Sequence, residues 1–186
     1  RTSGLPSGSN FPAGIHMMNW KATDAANNEA ICGFTITVSD GQPPNIACPA
    51  SITRTTDLNQ CSAPVTYATP VLTDNCKGGG VIRIGGLASG ATFPKGPTTV
   101  TWKATDAGGL TNTCAFTVTV TDGQVPSITC PGNLTRNTDL NKCNAVVSYS
   151  SPTATDNCPG VSATIIAGLP SGSMFDKGAT TVTWKA

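Results

Sequence analysis

Ser89–Asp122 reads SGATFPKGPTTVTWKATDAGGLTNTCAFTVTVTD, and its pattern decides the fold. From Thr98 to Thr105, Thr98, Val100, Trp102 and Ala104 fall on one face and Thr99, Thr101, Lys103 and Thr105 on the other. From Cys114 to Thr121 the alternation resumes, with Cys114, Phe116, Val118 and Val120 inward. A period of two built from β-branched and aromatic residues is the mark of a half-buried strand. Asp106-Ala107-Gly108-Gly109 supplies the turn between the two strands.

The same stretch opens the chain at Ser7–Asp40 and begins again at Ser171. Trp20, Trp102 and Trp184 are separated by equal gaps of 82 (102 − 20 and 184 − 102). The cysteines obey the same shift: Cys32 to Cys114, Cys48 to Cys130, Cys61 to Cys143 and Cys76 to Cys158. Leu5, Leu87 and Leu169 follow it, as do Phe11, Phe93 and Phe175. A fixed period without insertions means one structural unit copied in tandem. The expected organisation is residues 1–41 as the C-terminal part of a unit, 42–123 as a complete unit and 124–186 as the N-terminal part of a third.

Within the complete unit, Ile46, Cys48 and Ile52 are expected on one face of a first strand. Thr56–Gln60 is a polar turn, Val65 and Tyr67 belong to the next strand, and Val81–Ile84 forms a short one. Phe93 is expected to plug one end of the core. Short strands at such intervals, with turns between them and no helical period, give an all-β fold: a two-sheet sandwich. Asp40-Gly41-Gln42-Pro43-Pro44 and Asp122-Gly123-Gln124-Val125-Pro126 are short linkers stiffened by proline. Neighbouring units are therefore expected to stack end to end, as partners within one chain.

Charged residues make up 11% of the chain, under half the usual ~25% of soluble domains. Net charge is +1, which offers no electrostatic footing for nucleic acid or an anionic membrane. No apolar run approaches the ~20 residues of a spanning helix, so membrane insertion of this segment is not expected. The N-terminus lacks the shape of a signal peptide, and the sequence is expected to be a window on a longer continuous array. Eight cysteines at repeating registers argue for disulfides and an oxidising, extracellular setting. Zinc is the weaker reading, because there is no C-x-x-C pair and only one histidine. Four cysteines per unit leave three connectivities open.

In combination and order, several motifs resemble the HYR (hyalin repeat) domain. They are I-x-C-P at Ile46–Pro49, T-D-N-C at Thr73–Cys76, S-G-x-x-F-P-x-G at Ser89–Gly96, T-T-V-T-W-x-A-T-D-A-x-G at Thr98–Gly109 and C-x-F-T-V-T-V at Cys114–Val120. The resemblance implies an immunoglobulin-like β-sandwich of extracellular, adhesive proteins. Dense threonine-rich arrays of this kind resemble the tandem region of giant bacterial surface adhesins, linked to gliding motility and biofilms. It also implies a Cys48–Cys114 disulfide, leaving Cys61 to Cys76 and, one unit on, Cys143 to Cys158. Trp20, Trp102, Trp184, Phe93 and Phe116 are the expected core anchors.

Aspartates recur at fixed registers: Asp24 and Asp106, Asp40 and Asp122, Asp57 and Asp139, Asp74 and Asp156. They read first as turn formers accepting local backbone N–H groups. A calcium role at the unit junctions is the lesser reading, because no dense D-x-D-x-D loop is present. No cofactor and no catalytic residue is expected: paired carboxylates would need a cleft that uninterrupted repeats do not offer. His16 has no nucleophile beside it, and Asn133-Leu134-Thr135 is a weak glycosylation sequon. The expected function is a structural and adhesive stalk or filament. The alternative is a tandem calcium- or glycan-binding module presenting Asp74–Gly80 and Asp106–Leu110, with surface glycans or other filaments as partners.

Overall fold

The computed structural model describes all 186 residues and contains strands but no helix. β1 (Gly14–Thr23) and β2 (Glu29–Val38) form an antiparallel hairpin in which Trp20 pairs with Cys32. The middle of the chain follows with β3 (Asn45–Ala47), β4 (Ile52–Thr55), β5 (Ser62–Pro64), β6 (Val71–Thr73), β7 (Gly80–Gly85), β8 (Thr92–Pro94), β9 (Gly96–Thr105) and β10 (Thr111–Thr121). The last part carries β11 (Ser127–Thr129), β12 (Asn144–Val147), β13 (Thr153–Thr155), β14 (Thr164–Ala167), β15 (Ser173–Asp176) and β16 (Thr183–Lys185).

β4, β10, β9 and β7 form a four-stranded sheet in that order, while β3 pairs with β6 and β5 with β8. β4 runs parallel to β10, with Ile52 opposite Val118. Only a chain that changes sheets between β3 and β4 can arrange this. The single first strand expected through Ile46, Cys48 and Ile52 is therefore two strands in two sheets. Pro49 lies at the break, where a missing backbone N–H costs no ladder bond. Val65 lies just past β5 and still bonds across to the chain, its N–H donating to the Ala91 carbonyl at 3.2 Å. The third part repeats the scheme, with β11 on β13, β12 on β15 and β14 on β16.

The alternation in β9 and β10 decides which residues face inward. Val100, Ala104, Phe116, Val118 and Val120 are buried, while the threonines between them are half-buried or exposed. Phe93 and Ala63, paired across β5 and β8, are fully buried. The Tyr67 ring meets Phe116 edge-on at 5.0 Å, and the Tyr67 hydroxyl donates to the Leu87 carbonyl. Tyr149 makes the same bond to Leu169 one repeat later. Gly86 closes the turn after β7 at φ 76°, with a Cβ there falling 2.8 Å from the Val100 Cα. Gly168 repeats that approach against Val182. Only glycine fits both demands.

By packing, the chain divides into two compact units. One holds Arg1–Ala50, Tyr67–Ala88 and Thr99–Thr117; the other holds Ser51–Thr66, Ser89–Thr98 and Val118–Ala186. Each unit draws on two successive copies of the repeat.

The tryptophans anchor the core less than expected. Trp102 and Trp184 are half-buried and Trp20 is 46% exposed. The indole is too large to vanish beside Val100 and Ala104 in a narrow sandwich. Trp20 lies on a two-stranded hairpin whose outer neighbour is a single bridge from Ser3 to Asn19. The same difference separates Phe34, 53% exposed, from its counterpart Phe116, which is 5% exposed.

Candidate functional site

Two constellations stand out, both built around the T-D-N-C segment. Cys48 is bonded to Cys114, with Cα atoms 5.8 Å apart, tying the end of β3 to β10. Cys61 is bonded to Cys158, with Cα atoms 4.8 Å apart and a sequence separation of 97. This replaces the Cys61–Cys76 pairing implied by resemblance: Cys61 takes the cysteine at the same register one repeat later (76 + 82 = 158). Cys32, Cys76, Cys130 and Cys143 carry free thiols, so the expected Cys143–Cys158 pair is not formed either.

Local chemistry explains the choice. Asp57 to Gln60 forms a turn, with the Gln60 N–H donating to the Asp57 carbonyl at 3.0 Å and Asn59 at φ 59°. That turn presents the Gln60 carbonyl to the Asn157 side-chain amide, which donates to it at 2.7 Å. The same amide reaches the Thr56 hydroxyl at 3.4 Å. The residue before Cys158 thus docks on the residue before Cys61, and the two sulfurs are brought together. Gln124 adds a second clasp on the same turn, its Oε1 accepting from the Asn59 N–H at 2.9 Å.

The other T-D-N-C copy lies in the first packing unit. Asp40, Asp74 and Asp106 each place a carboxylate oxygen within 4.8 Å of the other two. The two loops singled out from the sequence, 74–80 and 106–110, are brought together here. Gly79, at φ 105°, packs directly on the backbone of Thr105 and Asp106, leaving no room for a Cβ. Asp106 is 5% exposed. Its Oδ1 accepts from the Leu110 N–H at 2.8 Å, and its Oδ2 is buried with no partner. Asp40 Oδ2 and Asp74 Oδ1 are likewise buried without partners.

Asp40 titrates below the ordinary carboxylate value, chiefly because the Gln42 N–H bonds its ionised form. The Cys76 thiol is pushed above its ordinary value by its hydrogen bond to Asp40, by burial, and by the charges of Asp40, Asp74 and Asp106. Asp57 stays apart, paired with Arg54 at 3.1 Å. Asp24 is held below the ordinary value first by the side-chain amide of Asn28. Asp122, the register partner of Asp40, is held down first by the Gln124 N–H and also by Lys95, 3.2 Å away.

The aspartate registers were visible in the sequence, but at Asp40, Asp74 and Asp106 the turn-forming reading accounts for one oxygen of each carboxylate. Asn157 and Lys95 were not singled out; their signal was a residue type repeated or lost at a fixed register. His16 is confined to the Pro12 carbonyl, 2.7 Å from its Nε2, and to an edge contact with Phe11.

The HYR domain family model matches the chain three times, at residues 1–38, 39–120 and 121–186. The chain belongs to the HYR domain family. These HYR repeats are 36% identical over 155 residues to hyalin of Strongylocentrotus purpuratus, covering 80% of this chain and 13% of that protein. They are 32% identical over 151 residues to hyalin of Lytechinus variegatus, covering 78% and 28%. A third relative is the sushi, von Willebrand factor type A, EGF and pentraxin domain-containing protein 1 of Rattus norvegicus, 33% identical over half of this chain. The chain thus spans between an eighth and about a quarter of the hyalins it matches. It is an extracellular, adhesion-type array of HYR sandwiches, and its two disulfides fit an oxidising environment.

Proposed function

We propose that this segment is a load-bearing stalk: HYR repeats in tandem, running 42–123 for the complete one and flanked by the parts at 1–41 and 124–186, hold an adhesive protein away from the surface that carries it. The observation behind this reading is the Cys61–Cys158 disulfide, which ties one repeat covalently to the next. A binding module needs no such bond. A rod under tension gains from it, because force entering at a junction passes through a covalent path instead of through strand ladders. Weakly charged threonine and serine faces keep the repeats soluble while giving little purchase for substrate chemistry. The protein is a non-catalytic spacer and attachment element. Gliding motility or biofilm attachment would be particular uses of the same stalk.

Attachment under flow tests this reading. Surfaces coated with the oxidised chain should hold cells of the source organism against shear, and reduction followed by alkylation should weaken that hold. Equal retention on oxidised and reduced chain would refute a load-bearing role.

A further inference from the structure

We propose that Asp40, Asp74 and Asp106 form a site for a hard divalent cation of calcium's size. Three carboxylates with oxygens within 4.8 Å of one another repel unless something positive sits among them. No Lys, Arg or His side chain pairs with any of the three; the ion pairs of the chain lie elsewhere. Each carboxylate keeps one buried oxygen without a donor, and Asp106 is 95% buried by its 5% exposure. Leaving such oxygens unpaired is costly, whereas an ion satisfies all three at once. The separation suits Ca²⁺, whose oxygens sit about 2.3–2.6 Å from the metal, better than the tighter shell of Mg²⁺.

Two comparisons within the chain point the same way. At the register of Asp106, Asp24 has its Oδ2 capped by the Asn28 side chain at 2.9 Å. The residue at that register in the next repeat is Leu110 (28 + 82), which has no amide to offer, so the Asp106 Oδ2 stays open. At the register of Asp40, Asp122 is neutralised by Lys95. The corresponding residue before Asp40 is Ala13 (95 − 82), adjacent to the Gly14–Val38 pair that ends the hairpin beside Asp40. Asn75 donates to the Asp40 Oδ1 at 3.4 Å and the Cys76 thiol bonds Asp40, but no Lys stands where Lys95 meets Asp122 and no amide where Asn28 caps Asp24, so the Asp40 Oδ2 and Asp106 Oδ2 stay open.

Calcium chloride titrated calorimetrically into the oxidised, chelator-stripped 186-residue chain tests the site. One saturable site is expected. Asp106→Asn, Leu110→Asn and Ala13→Lys should each weaken it at least about tenfold, since affinity follows ligand charge and availability. Asp24→Asn should leave it unchanged. Thermal unfolding of each variant in chelator shows whether it folds, and Leu110→Asn and Ala13→Lys carry the test if Asp106→Asn does not. Absence of saturable binding up to about 10 mM calcium, beyond the range of extracellular modules, would overturn the proposal. So would affinity unaltered by the three variants, or tighter zinc binding that is lost in Cys76→Ser.

Discussion

Burial separates two aromatic residues that the sequence ranks together. Phe93 is fully buried opposite Ala63, whereas Trp102 is half-buried on β9 with its indole N–H lacking a partner. Truncating a fully enclosed ring removes its transfer free energy and leaves a cavity; truncating a half-exposed one does less of both. Phe93→Ala is therefore expected to cost about 3–5 kcal/mol, and Trp102→Ala clearly less. Urea unfolding of the two variants checks the order, and a larger loss for Trp102 would reverse it. Alternation told the inward face of β9 and β10 correctly, because a period of two is a property of the strand itself. It could not tell how much of an inward indole the opposite layer would cover, which depends on residues far away in sequence.

Elements were legible where a ladder runs long and not where the chain changes partners. β9 and β10 were evident; the break between β3 and β4 was not, because Ile46 and Ile52 share parity whether they sit in one strand or two. The disulfide was hidden for a deeper reason. Cys76 and Cys158 occupy one register, so a repeat of 82 makes an internal bond and a bond to the next repeat look identical. The turn after β7 shows what the repeat does fix. Gly86 needs both a positive φ and a bare Cα against Val100, while Gly90, at φ 82°, meets nothing within 4 Å. Gly90→Ala should cost about 1–2 kcal/mol for the left-handed backbone alone. Gly86→Ala should cost more, since backbone must also move. Comparable melting temperatures for the two variants would show that the close approach to Val100 is not holding β7 in place.

For the whole molecule, the two disulfides set how far the chain can be drawn out by its ends. The shortest covalent path runs from the N-terminus to Cys61, crosses to Cys158 and continues to the C-terminus, which bypasses a sequence separation of 97. Cys48–Cys114 lies across part of the same span and lengthens nothing. Had Cys61 been bonded to Cys76, its loop would be nested inside Cys48–Cys114, and only the 66 residues of that larger loop would be hidden. A fully extended residue spans about 3.3–3.6 Å, so the two linkages differ by roughly 100 Å in the length that stays locked under load. Pulling single oxidised molecules, then repeating the measurement in reductant, reads this directly. Reduction should release about 330 Å of additional contour length. A release nearer about 220 Å would place the second bond within one repeat, and the contact between Asn157 and the Thr56–Gln60 turn would then be held by hydrogen bonds such as Asn157 on Gln60 and Gln124 on Asn59. Bonds of that kind contribute roughly 1 kcal/mol each, too little to carry tension through an array.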